Sequence, residues 1–186
     1  MGKHYTEIQP EHCEFIAQQK IFFVGTATAD SRVNVSPKGM DSLRVLGPTR
    51  VLWLNVTGSG NETAAHVQIN PRITLMFCAF DGAPIILRLY GQARVYHVYD
   101  PEWSALAAQL PAQPGARQIF DVAVDLVQRS CGMGVPYFNF AGEREQLNDW
   151  AQRRGEAGIA EYWAKRNQRT IDGLPTAVLG KPDAAN

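Results

Sequence analysis

The segment Thr57-Gly58-Ser59-Gly60-Asn61-Glu62-Thr63 combines residue types that suit one definite chemistry. Its glycines let the backbone turn sharply, so several N–H groups can converge on one point. The hydroxyls of Thr57, Ser59 and Thr63 add donors. Glu62 to Ile69 reads as one to two helical turns, whose N-terminus would place a positive dipole end behind the loop. That arrangement suits a phosphate. The loop is not a Walker A sequence, since no Gly-Lys-Ser/Thr follows, and it is not Gly-x-Gly-x-x-Gly. A Gly/Ser turn feeding a helix N-cap is the plain structural alternative.

The elements that must position this loop follow from the apolar patterning. Arg50 to Val56 reads as a buried strand leading into it. Before that, Pro10 to Gln19 has an amphipathic helical look, and Lys20 to Thr28 is rich in β-formers. Ala29-Asp30-Ser31 is a turn, and Arg32 to Ser36 alternates as the second strand of a hairpin, broken by Pro37-Lys38-Gly39. Arg72 to Phe80 is a fourth strand. Asp81-Gly82-Ala83-Pro84 is a turn, and Ile85 to Val98 is a long fifth strand with Gly91 at a bulge or bend. After Asp100-Pro101, the segments Glu102–Gln109, Ala116–Gln128, Arg144–Arg154 and Ile159–Asn167 read as helical. An apolar, glycine-rich loop, Ser130 to Tyr137, lies among them. Antiparallel strands at this spacing imply a mainly β, α+β fold: a six-stranded split β-barrel with a helical C-terminal third. The expected organisation is one domain over residues 1–186, with the barrel at about 15–100, a helical extension at about 101–176 and a loose tail at 177–186.

Composition narrows the function classes. The chain has 186 residues and is 45% hydrophobic and 19% charged, ordinary for a globular protein. Lys+Arg and Asp+Glu are both 18, so no bulk field favours nucleic acid or an anionic membrane. Cys13, Cys78 and Cys131 form no Cys-x-x-Cys, which argues against a disulfide framework or a zinc site and for a reduced, cytoplasmic compartment. The N-terminus lacks an apolar signal core, and no apolar run approaches the ~18 residues of a membrane span. His66 and His97 lack metal-ligand spacing, so no metal site is expected. Cys131 has no visible His-Asp or His-Asn partner, so a buried small hydrophobe is its simpler role.

Taken in order, these elements resemble the pyridoxamine 5′-phosphate oxidase-related family of FMN-binding split barrels. The match is carried by Phe23-Val24-Gly25-Thr26-Ala27, Val35-Ser36-Pro37-Lys38-Gly39, Val51-Leu52-Trp53-Leu54 and the loop from Thr57 to Thr63. Asn70-Pro71-Arg72-Ile73-Thr74-Leu75-Met76-Phe77 and Leu87-Arg88-Leu89-Tyr90-Gly91 complete it, over roughly residues 15 to 99. The resemblance implies a homodimer with FMN in a cleft between two barrels. Carried over, Val35, Ser36, Pro37 and Lys38 would pass along the isoalloxazine edge, with Lys38 stabilising the anionic reduced ring. Trp53 would sit beside the flavin, or else be plain core. Thr57, Gly58, Ser59, Asn61 and Thr63 would hold the ribityl chain and phosphate.

Two departures from the family pattern matter. The family often places Arg and Lys in the phosphate loop, whereas here no basic residue occurs between Arg50 and Arg72. The phosphate charge would then need a cation from elsewhere, with Arg72 and Arg88 the candidates. The Arg-x-His that helps true pyridoxamine 5′-phosphate oxidase bind its substrate is also missing near the C-terminus, so that reaction is not expected. The implied function is an FMN-dependent oxidoreductase acting on an unknown small molecule by hydride or electron transfer. The alternatives are a deazaflavin- or haem-binding barrel and a non-enzymatic flavin-binding stress or sensor protein. No catalytic residue can be assigned.

Overall fold

The computed structural model describes residues 2–180. Its elements, in chain order, are β1 (Lys3–Tyr5), α1 (Pro10–Gln18), β2 (Phe22–Thr26), β3 (Asn34–Lys38), β4 (Leu43–Gly47) and β5 (Arg50–Val56). They continue with α2 (Glu62–Ile69), β6 (Arg72–Cys78), β7 (Ile85–His97), α3 (Trp103–Ala107), β8 (Ala116–Cys131) and α4 (Gln146–Arg166). The strands form one antiparallel sheet in the order β3-β2-β6-β7-β8-β5-β4, with β1 alongside β8. The mainly β split-barrel class read from the sequence stands, with eight strands instead of six.

Most of the difference lies in residues 116–128, which form β8 and not a helix. Phe120, Val122 and Val124 are buried while Ala123 and Asp125 are exposed, a period of two. β-Branched residues at this alternation pack well on a pleated sheet. Pairing with β7 on one side and β5 on the other then satisfies most of the backbone groups that a helix would have satisfied internally. The barrel therefore runs on to Cys131, and the long C-terminal helix begins only at Gln146. β1, at three residues, is too short to be read from pattern, and β4 shows no alternation, each of its residues being half-buried.

Other boundaries shift for local reasons. Pro37 and Lys38 end β3 instead of breaking it, since β3 is an edge strand where a missing N–H breaks no ladder. The two C-terminal helices are one element, kinked at Gly155 with φ 63°. Residues 177–180 are not loose: Val178 is buried against Ala151, Ile159 and Trp163, and Tyr99 Oη donates to Ala177 O at 2.6 Å. Residues 181–186 of the expected tail lie outside the described residues. No helix among the described residues is long and apolar enough to cross a membrane.

Two apolar clusters flank β5. Val51 and Trp53 face the barrel interior with Phe22, Leu75, Phe77, Leu89 and Phe120. Leu52 and Leu54 face the opposite side, under α3, with Tyr96, Leu106 and Ile119. Coverage on both faces explains why β5 is a near-continuous apolar run. Within the barrel, Trp53 stacks on Phe120 at 4.5 Å and 14°.

The long β7–β8 ribbon bends where its register shifts between Tyr90 and Gly91, leaving Asp125 as the extra residue. Gly91 is required there, because a Cβ would collide with Ala123 O and meet Val124 Cα at 3.0 Å. Gly91→Ala is expected to destabilise the fold by about 2–3 kcal/mol, read as a lowered thermal midpoint. An unchanged midpoint would contradict this account of the bend.

Candidate functional site

The loop from Thr57 to Thr63 joins the end of β5 to the start of α2, so the sheet fixes one end and a helix the other. Thr57 anchors it. Its N and Oγ1 both donate to Gly115 O at 2.8 Å, and Trp163 Nε1 donates to Thr57 Oγ1 at 2.8 Å. The next carbonyls all turn the same way. Gly58 O accepts from Arg117 Nη1 at 3.3 Å and from Asn167 Nδ2 at 3.0 Å. Ser59 O accepts from Asn167 Nδ2 at 3.3 Å, and Gly60 O from Arg117 Nη2 at 2.9 Å. With these carbonyls bound to buried side chains, the amides are left to other partners. Among the described residues, none accepts a hydrogen bond from the amides of Gly58 through Thr63. Asn61 N-caps α2 without a side-chain cap bond.

The loop borders a cavity of about 240 Å³, whose other walls are Asn34, Ser36 and Lys38 of β3, Asn55 of β5, and Arg117 of β8. Arg117 is 2% exposed. It also donates through Nε to Gln118 Oε1 at 3.0 Å and through Nη1 to Asn167 Oδ1 at 2.7 Å. Every one of these partners is neutral, and among the described residues no carboxylate lies within ion-pair distance of it. A buried guanidinium without a counter-ion is costly. Burial lowers its pKa to about 10, partly offset by the charge of Glu62, so it stays charged at neutral pH.

Lys38 lies across the same cavity, its Nζ 5.2 Å from the centre of the Trp53 ring. Burial, and then repulsion from Arg117, lower its pKa to about 8. Two more polar groups at the cavity have capacity to spare. Thr63 Oγ1 accepts from Asn34 Nδ2 at 3.0 Å and keeps its own proton to donate. Asn61 Nδ2 donates to Asn167 O at 3.2 Å, while its buried Oδ1 has no partner among the described residues.

Of the residues singled out from sequence, Ser36, Lys38, Gly58, Ser59, Asn61 and Thr63 line this one cavity. Thr57 is behind it, its side chain committed to the anchor. Trp53 is 1% exposed in the barrel core and reaches the site only through Lys38. Val35 points away and is 65% exposed, as the alternation of β3 requires. Pro37 lines a neighbouring opening of about 770 Å³, walled by Met40, Phe138 and Phe140 and shared with Lys38. Within one chain neither candidate arginine lines the cavity. Arg72 Nε donates to Asn70 Oδ1 at 3.2 Å, and Arg88 Nη1 to Ser130 Oγ at 3.1 Å. The cation against the loop is Arg117, hidden from sequence reasoning by the helical reading of 116–128. Asn34, Asn55 and Asn167 were also missed. Among the described residues, no cluster of His, Cys, Asp or Glu is placed to hold a metal ion.

A split barrel with an anion-suited loop after a buried strand is the architecture of a known family. The sequence model for pyridoxamine 5′-phosphate oxidase matches residues 8–131, and the chain belongs to that family. A pyridoxamine 5′-phosphate oxidase family protein of Aspergillus flavus, ustO, is 34% identical over 191 residues, spanning 92% of this chain and 76% of the relative. Two solved structures share the fold. HupZ of Group A Streptococcus aligns at TM-score 0.51 and 18% identity over 64% of this chain and 91% of its own. A pyridoxamine 5′-phosphate oxidase-like protein of Lactobacillus delbrueckii aligns at TM-score 0.51 and 20% identity over 66% and 94%. The family match ends at residue 131, so Trp163 and Asn167 lie beyond it.

Trp163→Phe keeps an aromatic ring, smaller than the indole, and removes the bond to Thr57. It is expected to cost about 1 kcal/mol in urea unfolding. No change in the unfolding midpoint would show that the loop is anchored without it.

Proposed function

We propose that this chain is an FMN-binding oxidoreductase that works as a cytoplasmic homodimer on a small molecule. The observation that carries the reading is the buried Arg117, with no carboxylate partner, beneath a loop whose amides face away from it. The residues fit the phosphate end of the cofactor. The amides of Gly58 to Thr63 and the hydroxyls of Ser59 and Thr63 would donate to it, and Arg117 and Lys38 would supply the positive field. Asn61 Oδ1 would accept from a ribityl hydroxyl. When bound, FMN would supply hydride or electron transfer, and the protein's part is position and electrostatics. Lys38 belongs to both the small polar cavity and the larger apolar opening. It is therefore suited to favour negative charge developing where the two meet. Exposed Val33, just before edge strand β3, and exposed Val35 on it support association of two copies beside the site.

A deazaflavin carries the same kind of anion and remains the alternative within this reading. Among the described residues no histidine lines the cavity, which gives a haem little to ligate there. Purified protein incubated with FMN and desalted is expected to retain the flavin's visible absorbance at about one cofactor per chain. Colourless protein would overturn the FMN reading.

The pKa of Lys38 sets a pH dependence. A bound anion favours its protonated form, so the bound pKa lies above the free value of about 8. Affinity is then full below pH 8 and falls as pH rises through that value. Below pH ~6 the phosphate itself takes up a proton and affinity falls again. FMN titrations are expected to be tightest between these limits. Lys38→Met is expected to weaken binding about tenfold at pH 7 and to abolish the alkaline slope. An alkaline slope that persists in the variant would assign it to another group.

A further inference from the structure

We propose that Asn167 is a positioning residue that sets the polarity of the loop, and through it the preference for a phosphorylated over an unphosphorylated flavin. The inference rests on the flavin reading above. Asn167 follows α4 and is fully buried. Its carboxamide is used on both sides. Nδ2 donates to Gly58 O and Ser59 O, while Oδ1 accepts from Arg117. Its backbone is held as tightly, since its N donates to Trp163 O at 3.0 Å and its O accepts from Thr176 Oγ1 at 2.5 Å and from Asn61 Nδ2.

Few side chains can do this. The group must accept from a guanidinium and donate to two carbonyls from one planar head. An aspartate cannot donate, and serine or alanine is too short. The consequence falls on peptide orientation. A loop peptide can present its carbonyl or its amide to the cavity, and the two choices give opposite signs of local charge. The bonds from Asn167 and Arg117 hold the carbonyls of residues 58–60 on the protein side. Without them, glycine-rich peptides are free to turn carbonyls toward the cavity, where they would repel a phosphate. The carboxamide of Asn167 acts through the carbonyls of Gly58 and Ser59 and through Arg117 and lies outside the cavity lining, so its effect falls chiefly on the phosphate end of a ligand.

The test compares FMN with riboflavin, which share the ring and ribityl chain and differ only in the phosphate. Both are titrated by flavin fluorescence into the wild-type chain, Asn167→Leu and Thr176→Val, with thermal midpoints recorded for each. Asn167→Leu is neutral, so no added charge confounds the result. Thr176→Val loosens the grip on Asn167 O and serves if the first variant does not fold. The wild type is expected to bind FMN at least about tenfold more tightly than riboflavin. Asn167→Leu is expected to reduce that ratio about tenfold, and Thr176→Val about threefold in the same direction. If folded variants keep the wild-type ratio, even with both affinities lowered together, Asn167 is structural only and the inference fails. If the wild type itself shows no preference, the flavin-phosphate reading fails first.

Discussion

A single buried guanidinium governs the arrangement of the rest of the site. Arg117 leaves β8 at the mouth of the barrel and finds Gln118, Gly58, Gly60 and Asn167 as partners, none of them charged. A charge held this way costs several kcal/mol in desolvation that neutral hydrogen bonds offset only in part. The fold keeps it because its partners include the loop's own carbonyls. The same contacts that solvate Arg117 fix which way the loop peptides face. Electrostatics and backbone geometry at this site are therefore one property.

The barrel makes this placement possible. β8 is long enough to pair with β7 from Gln118 to Cys131, with β5 over its first half and with β1 near its end. The bend at Gly91 and Asp125 lets one strand serve the barrel wall while its start reaches the mouth. There the bulge between Asn55 and Val56 brings the ends of β5 and β8 level. α4 then closes over the back of the loop through Trp163, and the segment after it contributes Asn167 and Thr176. Asp172 of that segment also pairs with Arg32 just before β3, tying the closure to the strand that carries Lys38.

Much of this was legible in the chain, for a physical reason. β5, the glycine loop and α2 are contiguous, so their residue types announced an anion-suited turn without any knowledge of tertiary contacts. Ser36 and Lys38 could be added because the strand and loop motifs occur together in the family. Arg117 was not legible. Its segment, Ala116-Arg117-Gln118-Ile119-Phe120-Asp121, mixes good helix formers with apolar residues, and only pairing with β5 and β7 decides for a strand. Read as a helix, this segment offers the loop no cation, which leaves Arg72 and Arg88 as the candidates, and both lie along the sheet away from this cavity. Asn167 carried no sequence signal, since an asparagine just after a helix reads as an ordinary C-terminal cap. Its role exists only because a segment over a hundred residues away folds back beneath the loop.

The central claim is that this loop, polarised by Arg117, is built for a phosphate dianion. The most direct measurement is a phosphorus NMR titration of the protein loaded with FMN. A free phosphate monoester changes protonation near pH ~6. In a cradle of amides and cations the dianion should persist well below that, so the bound resonance should stay at its dianion position down to the pH at which the protein unfolds. A bound resonance that titrates as it does in free solution would contradict the account, because it would place the phosphate in water and not in the loop.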